Sequence, residues 1–357
     1  MIEQDVNGIS SIGENTKARL AVVVVDPFST GAVLASDLSK QGYEVIVAYS
    51  ANLEQLASLT GLVPSGVCIS FAAVIPFHKD AVHMKQELLS LKHLEVVAVV
   101  PGAETGVELA DKLSEVMQLR TNGTSLSEAR RNKYVMGETI RSCGLRAVKQ
   151  LHASVWGEIA SWIEEWNPVP FKVIVKPMDS AGSDDVTLCS SLKEVQDAFG
   201  NIMGKVNGLG IVNKAVLVQE YLEGQEYVID MVSRDGDHKV VAIWAYDRRP
   251  VNGAEFVCFG QGLLTADEPH CQELIAYQKK VITALGIRHG PTHGEVKWCK
   301  NEPVLVEVGA RCHGAEGIWQ EVADAVLGYN QVQYTIDAYL NEKKFLSLPY
   351  EVRVFSL

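Results

Sequence analysis

Apolar and polar positions along this chain switch between a strand period and a helix period. "RLAVVVVDPFSTGAVLASDLSKQGYEVIVAYS" opens with the β-branched run Val22 to Val25, as in a strand buried on both faces. A glycine-bearing turn follows, then Leu34 and Leu38 at helical spacing, then a second strand. "HLEVVAVVPGAETGVELADKLSEVM" repeats the scheme, with a strand ending at Pro101 and a helix starting near Thr105. This order predicts a parallel βαβ layer. "NGTSLSEARRNKYVMGETIRSCGLRAVKQ" reads as a linker and a helix that stops at Cys143-Gly144. "FKVIVKPMDSAGSDDVTLCSS" reads as strand, small-residue turn, strand, and "LKEVQDAFGNIMGKV" as a helix. "AVLVQEYLEGQEYVIDMVSRDGDHKVVAIWAY" supplies a strand and then a hairpin turning at Asp235-Gly236. A third region opens with a helix around Glu273 to Leu285 and continues through "GPTHGEVKWCKNEPVLVEVGARCHG". The pattern is α/β. A length of 357 residues exceeds what one hydrophobic core usually holds, so two or three domains are expected.

Charge narrows the partners. A formal net charge of −12 argues against a nucleic-acid surface, which needs clustered Lys and Arg. Arg130-Arg131 and Arg248-Arg249 are local pairs that suit at most a small phosphate. The seven Cys are irregularly spaced with no C-x-x-C, as expected of free thiols in a reducing compartment. The first residues lack a cationic start followed by an apolar core, and no apolar run reaches the ~18 to 20 residues needed to span a bilayer. A soluble cytoplasmic protein is expected. "DPFSTG" lacks the G-x-G-x-x-G of a dinucleotide site and is expected to be loop structure only.

Candidate chemistry concentrates in the later regions. "GEVKW" and "PVLVEV" flank "CKN", and a turn centred on Asn301 places Glu295 opposite Glu307, with Cβ atoms about 4.5–5.5 Å apart. Two facing carboxylates repel, and a hard divalent cation such as Mg²⁺ removes the repulsion. Lys176 ends a strand before Ser180, Ala181, Gly182 and Ser183, whose small side chains let backbone N–H groups close over phosphates. Glu220 ends another strand, where it suits an adenine amino group. The backbone of Tyr221 and Leu222 suits the ring edge, and Glu226 the ribose hydroxyls. Each feature alone is also explained by an ordinary turn or acidic connector. A lone histidine such as His293 or His313 is more often structural.

Taken together, Lys133, Lys176, the small-residue loop, Glu220, Glu226, Glu295, Glu307 and Arg311 come in the chain order of an ATP-grasp ligase. The resemblance runs from about residue 20 to about residue 345. "PGAETGVELADKLSEVM", "ARRNKYVMGETIRSCGLR", "KPMDSAGSDDV", "QEYLEGQEYVIDMVS" and "PVLVEVGAR" resemble the L-amino acid ligases that make dipeptides and related amides. The resemblance implies an ATP-grasp fold: a Rossmann-like pre-ATP-grasp domain over residues 1–125, a linker helix and lid over 126–222, and a catalytic α+β sheet domain over 223–357. It implies ATP, with Lys133 and Lys176 on its phosphates and Glu220 and Glu226 on adenine and ribose. Glu295 and Glu307 would hold Mg²⁺ or Mn²⁺, Arg311 would face the reacting centre, and His293 would touch substrate or support the metal. The implied reaction is amide formation through an acylphosphate from small carboxylate and amine substrates, amino acids among them, with a homodimer left open. Two alternatives stand beside it: a carbon–nitrogen ligase of purine or peptidoglycan-precursor type, and an ATP-binding remnant without turnover. The sequence departs from the family pattern at Gly309, where most members have Asn, and at Asp184-Asp185 in the lid loop. The end after "FLSLPYEVRVFSL" reads as truncated relative to family members.

Overall fold

The structure is a computed structural model that describes residues 18–56, 59, 62–64, 67, 69–178, 185–208, 210–251 and 254–352, without the side chains of 254–256. The small-residue loop expected to cover phosphate, Ser180 to Ser183, lies outside these residues.

The first sheet is parallel, in the order β3-β2-β1-β4, with β1 at Arg19–Val25, β2 at Glu44–Ala48, β3 at Ala73–Ile75 and β4 at Leu94–Pro101. The run Val22 to Val25 is fully buried because each face of β1 meets its own core. Val22 and Val24 pack with Leu34 and Leu38 of α1 (Thr30–Lys40). Val23 and Val25 pack with Met84 and Leu88 of α2 (Ala81–Ser90) and Leu113 of α3 (Val107–Val116). The helix expected near Thr105 begins as a short 3₁₀ turn, Glu104–Gly106, before α3.

Arg130 fastens the linker. Its guanidinium is fully buried, pairs with Asp111 at 2.9 Å and donates to the carbonyls of Leu285 (2.9 Å) and Gly123. Asn132 then caps α4 (Lys133–Ser142) by accepting from the N–H groups of Tyr134 and Val135, which fixes Lys133 in the first turn. The second sheet is antiparallel, in the order β5-β8-β6-β7, with β5 at Gln150–Ala153, β6 at Val173–Pro177, β7 at Thr187–Cys189 and β8 at Val216–Glu220. Helices α5 (Trp156–Trp166) and α6 (Leu192–Ile202) cover it. The apolar pattern outlined above does not single out β5 and α5.

The third sheet is antiparallel, in the order β11-β10-β9-β12-β13, with β9 at Gln225–Arg234, β10 at Asp237–Val251, β11 at Ala254–Leu264, β12 at Gly290–Cys299 and β13 at Glu302–Gly309. Helix α7 (Cys271–Ala284) backs it, close to the bounds the sequence suggests. Helices α8 (Ile318–Leu327), α9 (Gln331–Leu340) and α10 (Glu342–Ser347) follow. Val332 and Ile336 of α9 return to the first sheet and complete the core around Val22 and Val24, so the first and third sheets share packing. Among the described residues no helix is long and apolar enough to cross a membrane.

The β12–β13 hairpin corrects one expectation. Its turn has two central residues, Lys300 and Asn301, both with positive φ, and Cys299 pairs with Glu302. That register alone would set Glu295 against Val306. A bulge in β13 shifts the pairing between Glu295 and Val296, and Glu295 meets Glu307. The expected pair is present, but the bulge creates it rather than a turn centred on Asn301.

Candidate active site

A cavity of about 890 Å³ lies between the second and third sheets. Lys133, Lys176, Glu220, Tyr221, Leu222, Glu226, His293, Glu295, Glu307 and Arg311 all line it, as does His313. The period of two explains much of this grouping. His293, Glu295 and Lys297 share one face of β12 and pair with Asp230, Val228 and Glu226 of β9.

One end of the cavity is formed by β6, β8 and the connector to β9. Lys176 is buried there. Burial and the charge of Lys133 push its ammonium down to about 8, against the pull of Glu307, Glu295 and Glu226. Such a group gains from an arriving anion. Glu220 already accepts at Oε1 from the Lys149 N–H (2.9 Å) and pairs with Arg146 (2.7 Å). Lys172 and Lys297 stand over the Tyr221 ring at 5.4 and 5.5 Å. The Leu222 carbonyl accepts from Lys297 Nζ at 3.2 Å. Glu226 pairs with Arg248 at 2.8 Å, and its carboxyl titrates upward because it is buried and near Glu295. Arg248, one of the two local arginine pairs, therefore lies inside the cavity.

The carboxylate pair is not left to repel. Lys133 Nζ reaches Glu307 Oε2 at 2.8 Å, and His293 Nε2 lies 3.3 Å from Glu295 Oε1. Burial would raise the Glu295 carboxyl, but the His293 hydrogen bond and charge, with Arg248 and Arg311, hold it below its ordinary range. The donor set fits a hard divalent ion: two carboxylates in register on adjacent strands, facing a cavity that also holds two lysines.

Arg311 is held by a residue that sequence reasoning missed. Its Nε lies 2.9 Å from Glu104 Oε2, and Arg131 reaches Glu104 Oε1 at 2.6 Å. The two guanidiniums outweigh burial and keep Glu104 ionised below its ordinary range. This explains glycine at 309. A Cβ there would stand 2.7 Å from Glu104 Oε2 and 3.0 Å from Arg311 Cζ, so an Asn cannot occupy the position while that pair is made.

Beyond Glu295 the cavity ends in a buried polar cluster. Asp230 Oδ1 lies 3.1 Å from His293 Nδ1, and Asp230 Oδ2 accepts from His313 Nδ1 (2.9 Å) and Trp244 Nε1 (2.9 Å). Their hydrogen bonds and charge keep Asp230 ionised despite burial. His293 is raised to about 9, because hydrogen bonds to Asp230 and Glu295 outweigh its burial. His313 is lowered to about 4 by burial and by His293 beside it.

The loop "DPFSTG", expected to be structure only, clamps this end. Thr30 Oγ1 donates to the carbonyls of His313 (2.5 Å) and Gly314 (3.0 Å), and Ser29 Oγ accepts from the Glu316 N–H (2.9 Å). Asp26 ties the same loop to Thr105 (2.6 Å), the neighbour of Glu104. Gly31 is required for the approach, since a Cβ there would fall 2.4 Å from the Gly102 carbonyl oxygen. Asp230 had a legible signal: a lone carboxylate in the apolar strand "EYVIDMVS". Glu104 and Arg131 had none, because their partner is distant in the chain. "FVCFGQGLL" belongs to the edge strand β11, and Val257, Cys258 and Gln261 from it line the cavity.

A parallel α/β layer, an antiparallel lid-sized sheet and a larger antiparallel sheet enclosing a cleft of lysines and paired carboxylates define an ATP-grasp protein. Residues 169–318 match the family model of the ATP-grasp domain. Dapdiamide A synthase of Enterobacter agglomerans is 30% identical over 329 residues, covering 91% of this chain and 74% of that protein. The L-arginine-specific L-amino acid ligase of Bacillus subtilis is 24% identical over 215 residues, 60% of this chain and 46% of that ligase. The crystal structure of an L-amino acid ligase from Bacillus licheniformis superposes with a TM-score of 0.68 at 18% identity, over 95% of this chain and 78% of that one, a likeness of fold. The chain belongs to the ATP-grasp ligases, is most like the L-amino acid ligases among them, and is a carboxylate–amine ligase. ATP is its nucleotide, and its substrates are small molecules.

Proposed function

We propose that the chain activates the carboxylate of one amino acid with ATP as an acylphosphate and passes the acyl group to the amine of a second, releasing ADP and phosphate. The observation that carries this is the register of Glu295 with Glu307 at a cavity that also receives Lys133, Lys176 and Arg311. Phosphoryl transfer asks little covalent chemistry of a protein beyond alignment and charge neutralisation. Adenine belongs against Glu220, Tyr221 and Leu222, with ribose near Glu226. Glu295 and Glu307 would hold Mg²⁺, with Mn²⁺ as a substitute, and the ion would supply charge neutralisation for phosphoryl transfer. Lys176, already poor in solvation, gains from the triphosphate. Lys133 exchanges Glu307 for a phosphate oxygen once that carboxylate is engaged. Arg311, oriented by Glu104, meets the carboxylate and the phosphoryl group it receives.

The relatives support amino acids as substrates, since one is named as an L-amino acid ligase and another as the synthase of dapdiamide A. We take residues 1–125 as the pre-ATP-grasp domain, 126–222 as linker helix and lid, and 223–357 as the catalytic domain. The cytoplasm suits both ATP supply and the free thiols among the described residues. A matrix of amino acid pairs, scored by ATP-dependent phosphate release and product mass, tests the reading. One or more pairs are expected to give a product lighter by one water than the two substrates together. Phosphate release without any condensed product would reject it.

A further inference from the structure

We propose that His313 is the catalytic base that takes a proton from the incoming amine, with Asp230 holding its ring; the inference rests on the ligase reading above. His313 follows β13 and Arg311, its side chain lines the cavity, and it is only 3% exposed. Its backbone is pinned from both sides. The N–H donates to Gln331 Oε1 at 2.7 Å, and the carbonyl accepts from Thr30 Oγ1. Its Nδ1 faces an ionised Asp230 and therefore carries the proton, which leaves the lone pair on Nε2. Among the described residues Nε2 has no hydrogen-bond partner. The ring is thus fixed in one tautomer, with an unused acceptor beside a cleft that must receive an amine.

The neighbouring histidine cannot fill this role. His293 directs Nδ1 to Asp230 and Nε2 to Glu295, so both of its nitrogens are engaged. Asp230, His293 and His313 are close enough to surround a cation. However, the 2.9 and 3.1 Å contacts between Nδ1 and carboxylate oxygen are direct hydrogen bonds with no room for an ion between them. Burial and the charge of His293 keep His313 neutral at ordinary pH, and the Asp230 carboxylate offsets part of that cost when the imidazolium forms. A second acceptor lines the same cavity: Gln261 Oε1, on β11, is buried without a hydrogen-bond partner among the described residues.

The amine enters as an ammonium, and His313 Nε2 takes one proton from it. The freed lone pair forms the C–N bond at the acyl carbon, and the C–O bond to phosphate breaks with its electron pair leaving on phosphate. The nitrogen loses its second proton to the departing phosphate, and His313 returns its own to solvent.

Hydroxylamine separates this role from a structural one. It is unprotonated at neutral pH and attacks an acylphosphate without a base. The full chain, with ATP and a productive amino acid pair, is assayed for amide and, with hydroxylamine in place of the amine, for hydroxamate. His313→Gln and His313→Ala are expected to slow amide formation about 10²- to 10⁴-fold, while hydroxamate formation falls less than about tenfold. Amide formation at the parent rate, or equal loss with both nucleophiles in both variants, would overturn the assignment. Absence of both products from the unmodified protein with every pair would instead overturn the ligase reading on which it rests.

Discussion

At the end of the cavity proposed for phosphate, three carboxylates face long side-chain cations: Glu307 has Lys133, Glu226 has Arg248, and Glu104 has Arg131 and Arg311. At the end proposed for the amine, Asp230 is surrounded by planar donors, His293, His313 and Trp244. The difference is chemical. Lysine and arginine side chains can release a carboxylate to follow an arriving polyanion. Rings packed at 4.1 Å and pinned through their backbone cannot. The first end is arranged for charge exchange, and the second for fixed geometry.

The charged end is broken most completely at its carboxylates. Glu295→Gln or Glu307→Gln is expected to lower kcat by about a thousandfold or more, because the electrostatic anchor of the reacting phosphates is lost. Steady-state phosphate release measures it. Glu307→Gln should not raise the melting temperature without nucleotide, since Lys133 loses its partner at 2.8 Å. It should also lose the stabilisation that Mg²⁺ and ATP together confer by mass action. Calorimetry with and without nucleotide checks both statements.

Lys176→Met comes next. A charge-assisted contact is worth about 1.5–3 kcal/mol, so kcat/KM for ATP should fall roughly ten- to a hundredfold. Stability should move the other way. The ammonium is held near 8 when folded and returns to its ordinary, higher value when unfolded. The unfolded chain therefore binds more protons between those values, and parent stability rises with pH across that window. Without nucleotide, Lys176→Met should be the more stable protein at pH 7, and its advantage should shrink as pH rises above about 8. Urea unfolding across that range shows the sign directly.

Two smaller changes sharpen the contrast. Gly309→Ala sets a methyl against Glu104 and Arg311 and should cost about tenfold in kcat, in line with overpacking of ~1–3 kcal/mol. Thr30→Val removes the hydroxyl that holds the His313 and Gly314 carbonyls. It should cost about 1 kcal/mol in stability and slow amide formation more than ATP binding. Separate titrations of ATP and of the amine distinguish the two effects.

The sequence exposed the charged end because its carboxylates Glu220, Glu226, Glu295 and Glu307 lie on strands, where a period of two and one hairpin bring Glu295 to within one residue of Glu307. Even there the reasoning missed the bulge at Val306, whose position no local pattern announces. The fold was legible for the same reason. The β-branched run of β1, the turn at Asp235-Gly236 and the helix before β12 are local signals. The Trp-rich helix α5 was not singled out, although Trp156, Ile159, Trp162, Ile163 and Trp166 have helical spacing. The fixed end was largely invisible. It joins β9, β12 and the loop after β13 to Ser29, Thr30 and Glu104 of the first sheet's loops, contacts made only by tertiary packing. Gly309 marks the limit. The sequence showed a departure from the family pattern, and the structure shows space reserved for the Glu104–Arg311 pair.

The central claim is that a carboxylate oxygen attacks ATP before the amine arrives. A carboxylate substrate labelled with heavy oxygen tests it in one turnover, with the released phosphate read by mass spectrometry. The account predicts ADP as the nucleotide product and one labelled oxygen carried into phosphate for each amide formed. Unlabelled phosphate, or AMP and pyrophosphate in place of ADP and phosphate, would contradict it.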